Sequence, residues 1–404
     1  MQALRGILGI VVILGICTLL SRNRKAIKLR VVFWGLVLQL LLGLLIFKTQ
    51  SGANVFQELA NLVRRFLEFS YEGSSFVFGT LGKKAEQGGV YCLAFQALPI
   101  IIYFSAVMAI LYHLRIMQVV VYVFARILGA LLRVSGAESM VITANVFLGM
   151  TEAPLVVRPY IERMTRSEIM ALMTGGFATI AGTVLGIYMM FVGERYGAYL
   201  IAASVMAAPA AFVTAKIIVP ETEEPVTGRD IQLTFERPGR NLLDAVSIGV
   251  RDGLHLALNI AAMLIAFYAL IALVNWPLEA LTGKKIQEIF GVLLSPFAWC
   301  LGVDWGDAGN FGNLLGTKIV LNEWIGYEGL QRMIQAGGLS DRSIKIATFA
   351  LCGFANFGSI GITLGGVGQL APSRRGDLAR YALLAMVAGA LSSCLTATIA
   401  GMFV

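Results

Sequence analysis

Charge is scarce in this chain. Only 14% of its 404 residues are Asp, Glu, Lys or Arg, against about 25% in an average soluble domain. Hydrophobic residues make up 57%, and the mean hydropathy is +0.77. That balance excludes an ordinary soluble domain and indicates a membrane protein. Histidine is scarcer still. His113 and His255 are the only two, too few for a histidine-built metal centre, and they argue against a serine–histidine–aspartate triad. The five cysteines (Cys17, Cys92, Cys300, Cys352, Cys394) are scattered through apolar surroundings without a Cys-x-x-Cys pair, and read as small core residues. No Gly-x-x-x-x-Gly-Lys-Ser/Thr run, Walker B segment or soluble domain is visible. ATP is therefore not the driver, and accumulation of a solute would need an ion gradient. The net charge of +8 does not point to nucleic acid, because the basic residues sit in loops between apolar runs, where they set orientation.

What is present is a series of long apolar runs. Eight are expected to span about 30 Å of hydrocarbon: 4–21, 31–48, 89–112, 168–192, 198–219, 254–275, 343–365 and 378–403. The first has the length of a signal peptide, but no small-residue cleavage site follows, and it reads as a retained span. Residues 52–68 set Phe56, Leu59, Leu62, Val63 and Phe66 against Glu58, Arg64 and Arg65, the pattern of an amphipathic helix in the interface. Residues 116–133 look similar. Residues 136–162 and 304–328 are too interrupted for lipid-facing helices, and irregular backbone at membrane depth needs a protein or water-filled cover. Both read as re-entrant helical hairpins. With the loop 22–30 in the cytoplasm, much of the remaining Lys and Arg also falls there, Lys83-Lys84 and Lys284-Lys285 excepted, and both termini lie outside. The two hairpins then enter from opposite sides, as an inverted-topology repeat requires.

The expected fold is thus an all-α integral membrane protein, with eight transmembrane helices, two re-entrant hairpins, interfacial helices and an inverted repeat. Its divisions are 1–50 (two peripheral spans), 51–135 (interfacial helices and third span, scaffold), 136–219 (first hairpin and spans four and five), 220–252 (polar linker), 253–303 (sixth span and interfacial segment, scaffold) and 304–404 (second hairpin and last two spans). The linker around 221–240 reads as solvated.

Two stretches nearly repeat each other. Gly176-Phe177-Ala178-Thr179-Ile180-Ala181-Gly182 reads against Gly353-Phe354-Ala355-Asn356-Phe357-Gly358-Ser359, and each follows a carboxylate, Glu152 or Glu323, by 24 or 30 residues. A charge at mid-membrane costs roughly 2.5–3.5 kcal/mol on insertion scales. The bland reading places each glutamate at a wet hairpin tip, and the glycines as packing sites. The functional reading is that Gly175, Gly176, Gly182, Gly353, Gly358 and Gly361 break two helices, freeing carbonyls and half-helix ends to hold an ion or a polar ligand. Thr179, Asn356 and Ser359 lie at these breaks. Two carboxylates with Asn, Thr and Ser, and no arginine beside them, suit a neutral ligand rich in hydroxyl and N–H donors. Lys318 is the only cation in either hairpin core, with a structural pairing to a carboxylate and a direct role equally open. The residues alone leave a carrier of a free base or sugar, an intramembrane hydrolase using the two glutamates as an acid/base pair, and a channel as alternatives.

The motifs narrow this. Gly149-Met150-Thr151-Glu152-Ala153-Pro154-Leu155, Gly316-Thr317-Lys318 with Asn322-Glu323-Trp324-Ile325-Gly326-Tyr327, and Gly353 to Gly361 stand in order along the chain. Together with Glu72 to Gly79, they resemble motifs of the concentrative nucleoside transporter family. The resemblance implies a homotrimeric transporter, not an enzyme and without a cofactor. It implies that nucleoside uptake is coupled to sodium, with protons as the alternative, across a bacterial cytoplasmic membrane. Carried over by motif, Met150, Thr151 and Glu152 would meet the nucleobase. Glu323, Asn356 and Ser359 would hold the ribose, and Phe354 would line the sugar pocket. Asn145 and Thr179, with backbone oxygens of Thr174 and Ile180, would hold sodium. Met150 stands where some members have a Gln that contacts the base. Trp324, Ile325 and Gly326 depart from the signature's Phe, Val and Ala.

Overall fold

The computed structural model describes residues 2–83, 92–228 and 239–404, and its regular structure there is entirely helical. Parts of two expected segments, the start of the third span and residues 229–238 of the linker, lie outside the described residues.

The chain opens with α1 (Gln2–Leu19) and α2 (Leu29–Lys48), joined through a basic loop. The long α3 (Gln50–Phe78) follows, then a short α4 (Leu93–Gln96), α5 (Leu98–His113) and α6 (Ile116–Leu132). The first expected hairpin folds as α7 (Gly136–Asn145), an irregular tip, a 3-10 turn and α8 (Arg158–Ile161). Next come α9 (Arg166–Ala178), α10 (Gly182–Val192), α11 (Glu194–Ile218) and α12 (Leu242–Thr282). The second half holds α13 (Ile286–Cys300), α14 (Trp305–Val320), α15 (Glu323–Gln335), α16 (Asp341–Leu351), α17 (Phe357–Leu370) and α18 (Arg375–Gly401). The second hairpin is α14 and α15, and so extends beyond the expected 304–328.

Among the described residues, six helical stretches are long and apolar enough to cross a membrane, and a seventh arises if α13 and α14, bent by 119° to each other, count as one. The protein is therefore an all-helical, multi-pass membrane protein. Two of the eight expected runs are not among these stretches, and a third, 168–192, is among them although it breaks at residues 179–181. Residues 4–19 form a shorter apolar helix, and 343–365 is split into α16 and α17 by residues 352–356.

Burial sorts the helices. α11 and α18 are largely enclosed by protein, whereas α12 is mostly exposed. At 41 residues, α12 is about 60 Å long, twice the hydrocarbon thickness. Its exposed Leu258, Ile265, Leu273 and Trp276 need lipid or another subunit against them. α3 is amphipathic as expected, but its buried stripe is Gly52, Phe56, Ala60, Leu67, Ser70 and Ser74. Leu59 and Leu62, expected on the apolar face, are exposed.

The first hairpin is fastened by two interlocked helix starts. Ser135 caps α7 and Thr165 caps α9, each closing a capping box with Glu138 or Glu168 three residues on. The Ser135 hydroxyl also donates to Glu168 (2.5 Å), and Lys216 of α11 pairs with Glu138 at 2.5 Å. The linker joins this knot. Glu221 accepts from the Thr165 hydroxyl (2.9 Å), and Gly136 donates its N–H to the Gly228 carbonyl (2.9 Å). The solvated linker is thus tethered to the hairpin at Glu221, Thr227 and Gly228, because the first N–H groups of α7 need acceptors, while Thr222, Glu223, Glu224 and Val226 stay exposed.

Candidate functional site

Both near-repeats are helix breaks, and each is tied to the tip of its own hairpin. α9 stops at Ala178, and Thr179 is extended (φ −111°, ψ 166°). α10 restarts at Gly182, whose N–H donates to the Phe147 carbonyl in the first hairpin tip (3.1 Å). In the second half α16 ends at Leu351, and Asn356 caps the restart by accepting from the Ser359 N–H (2.9 Å). The same Asn356 donates its side-chain amide to Glu323 at the second hairpin tip (2.9 Å). The two breaks also touch each other, since the Phe354 N–H donates to the Thr179 carbonyl (3.2 Å). Gly353 makes that approach possible. Its φ is +120°, and a Cβ there would lie 2.7 Å from the Phe177 carbonyl oxygen.

Glu323 is buried and bonded through both carboxylate oxygens, one to Asn356 (2.9 Å) and one to the Tyr188 hydroxyl (2.8 Å). An ionised carboxylate has about four acceptor positions, so it keeps acceptor capacity for a ligand. Asn356 and Ser359 are buried beside it, and Phe354 is half-buried. Tyr188 was not expected from sequence. It sits in an apolar helix with nothing in its spacing to mark it, and only the fold brings it to the carboxylate.

In the first half, Asn145 and Thr174 are completely buried, and their side-chain oxygens Oδ1 and Oγ1 have no hydrogen-bond partner among the described residues. The Asn145 amide nitrogen donates to the Val141 carbonyl (3.0 Å), which turns Oδ1 away from its own helix. Thr179 donates its hydroxyl to the Gly175 carbonyl (2.8 Å), so its hydroxyl lone pairs remain free for a cation. A cation suits orphaned oxygens of this kind, because leaving one unpaired costs about 1–3 kcal/mol.

Met150 is buried against Gly176, with its sulfur 3.8 Å from the Thr363 hydroxyl of α17. Thr151 packs on Gly366 one turn along. The tip of the first hairpin thus lies along the helix that Asn356 caps. Glu152 keeps solvent-accessible surface yet is surrounded by protein, with the Gly149 backbone N–H beside its carboxylate and Asp252 of α12 within electrostatic reach. Of the two carboxylates, Glu323 is the one closed off from solvent. Lys318 also differs. It makes no ion pair among the described residues, and donates instead to the carbonyls of Ala350 (2.9 Å) and Cys352 (3.3 Å) and to the Ser393 hydroxyl (3.2 Å). It satisfies the carbonyls left open where α16 ends, as a cation at a helix C-terminus does. A groove of about 860 Å³ between α12 and the second hairpin is lined by Leu321 and Ile325 but by neither glutamate.

Three family descriptions tile the chain. "Na+ dependent nucleoside transporter C-terminus" matches residues 199–401, its N-terminus counterpart matches 8–81, and "Nucleoside recognition" matches 94–195. The chain belongs to the concentrative nucleoside transporter family. Members of this family are transporters, and the chain is not an enzyme. It is 44% identical to an uncharacterized transporter of Haemophilus influenzae, over 100% of this chain and 98% of the relative. It is 41% identical to sodium/nucleoside cotransporter 2 of Rattus norvegicus, over 98% of this chain and 62% of that longer protein. Its fold matches the solved structure of CNTnw in an inward-facing substrate-bound state, with TM-score 0.94 and 41% identity, covering 100% of this chain and 98% of that one. Substituted forms of CNTnw have been solved in outward-facing states, so this family fold is found on both sides of an alternating-access cycle.

Proposed function

We propose that this protein carries nucleosides into a bacterial cell by sodium symport across the cytoplasmic membrane. The observation that carries the reading is the bonded pair of helix breaks, with Glu323 bonded to Asn356 at the second break and to Tyr188 of α10. The ribose hydroxyls donate to Glu323 and meet Asn356 and Ser359, with Phe354 against the sugar. The nucleobase lies toward Met150, Thr151 and Glu152 at the other hairpin tip, where the Glu152 carboxylate keeps acceptor positions for N–H groups. Sodium binds the Asn145 and Thr179 side chains and the backbone oxygens of Thr174 and Ile180. Because Thr179 and Phe354 share a hydrogen bond, ordering one break steadies the other.

In this reading the chain has eight spans, counting α1 and the broken α16–α17 pair, with two re-entrant hairpins, interfacial helices and an inverted repeat. Residues 136–219 and 304–404 form the moving transport halves. Residues 51–135 and 253–303 form the scaffold, 1–50 lies at the periphery, and 220–252 connects the halves. Three copies assemble through the exposed apolar flanks of α3 and α12. Tritiated uridine uptake into proteoliposomes tests the function. An inward sodium gradient is expected to drive it, and Glu323→Ala to reduce it to background. Full uptake by that variant overturns the ribose role, and uptake driven by a pH gradient without sodium moves coupling to protons.

A further inference from the structure

We propose that Tyr188 is a positioning residue that makes Glu323 a reader of the ribose cis-diol, an inference that rests on the reading of Glu323 as the ribose acceptor. Tyr188 belongs to α10, in the first half, and its side chain is fully buried. Its hydroxyl donates to one oxygen of Glu323 (2.8 Å), and Asn356 donates to the other (2.9 Å). Each carboxylate oxygen offers about two acceptor positions. With one filled on each, a matched pair remains, one per oxygen, which suits two adjacent hydroxyls. The phenol has little freedom to point elsewhere. Its ring stacks on Tyr327 with centroids 4.6 Å apart at 24°, and meets Trp324 edge-on at 6.1 Å. Tyr327 is pinned in turn by its hydroxyl, which donates to the Thr348 carbonyl (2.8 Å). Sugar recognition in the second half thus depends on a donor from the first.

Removing that hydroxyl while keeping the ring frees one carboxylate oxygen, and the acceptor pair loses its register. The test compares uptake of uridine and 2′,3′-dideoxyuridine by Tyr188→Phe. The wild type is expected to favour uridine at least about 10-fold in KM, because a site built to hydrogen-bond hydroxyls rejects a substrate lacking them. In Tyr188→Phe the uridine KM is expected to rise about 10-fold, with the dideoxyuridine KM and the sodium half-saturation unchanged within about twofold. Tyr327→Phe removes the bond to Thr348 but leaves the donor on Glu323, so it should keep the wild-type ratio. Should Tyr188→Phe not fold, 3-fluorotyrosine placed at 188 keeps the ring and alters only the donor, and the same ratio is expected to move. An unchanged ratio in either substitution at Tyr188, or equal losses for both substrates, overturns the positioning role. A wild type indifferent to the two substrates, or a Glu323→Gln variant with the wild-type ratio, instead overturns the ribose reading beneath it.

Discussion

The buried side chains divide into those already satisfied and those still owed a partner. Lys318, an unassigned cation in the sequence, is fully occupied by the end of α16 and by Ser393 of α18, and has no capacity left for substrate. Asn145 is the opposite case, with its Oδ1 buried and unpartnered among the described residues. If sodium is its partner, Asn145→Ala removes one charge-assisted contact, worth about 1.5–3 kcal/mol. The sodium concentration for half-maximal uridine uptake is then expected to rise roughly 10–100-fold. A sodium titration of uptake checks this, and an unchanged midpoint would take Asn145 out of the ion site. Glu323 and Asn356 were legible in sequence because polar groups amid apolar runs are conspicuous, whereas Asn145 came forward only through the family resemblance. Tyr188 was not, since a tyrosine in an apolar helix is ordinary until its hydroxyl is seen to meet a carboxylate.

At the level of elements, the glycine clusters announced both breaks, but not which glycine is indispensable. Gly353 combines φ +120° with two carbonyl oxygens within 2.8 Å of where a Cβ would stand, whereas Gly361 has nothing within 4 Å. Gly353→Ala therefore forces the two breaks apart, at a cost of about 3 kcal/mol or more from strain and overlap together. Gly361→Ala replaces an exposed helical glycine and is expected to stabilise by about 0.5–1 kcal/mol. Thermal unfolding in detergent separates them: a lower midpoint with lost uptake for the first, and an equal or higher midpoint with uptake retained for the second. The hairpins were legible as interrupted segments, though the second runs on to Gln335. The tethering of the linker at Glu221, Thr227 and Gly228 was hidden, because a run of Glu, Thr and Pro does not show which of its residues the hairpin will claim.

For the whole molecule, the question is whether ion and nucleoside sites behave as one unit. The Thr179 carbonyl and the Phe354 N–H are joined, so the backbone that carries a proposed sodium ligand also carries the residue beside the proposed sugar. Sodium that orders the first break lowers the cost of ordering the second, and uridine does the reverse. Linkage requires the two effects to be equal, with couplings typically about 5–150-fold. The dissociation constant of uridine, measured at low and at saturating sodium, should fall by the same factor as that of sodium measured without and with uridine. Asn145→Ala should bring the factor toward one while leaving sodium-free uridine binding unchanged, because the carboxylate, Tyr188 and Asn356 remain in place. A wild-type factor of one would mean that the bond between the breaks transmits nothing, and that coupling arises only when the loaded halves cross the membrane.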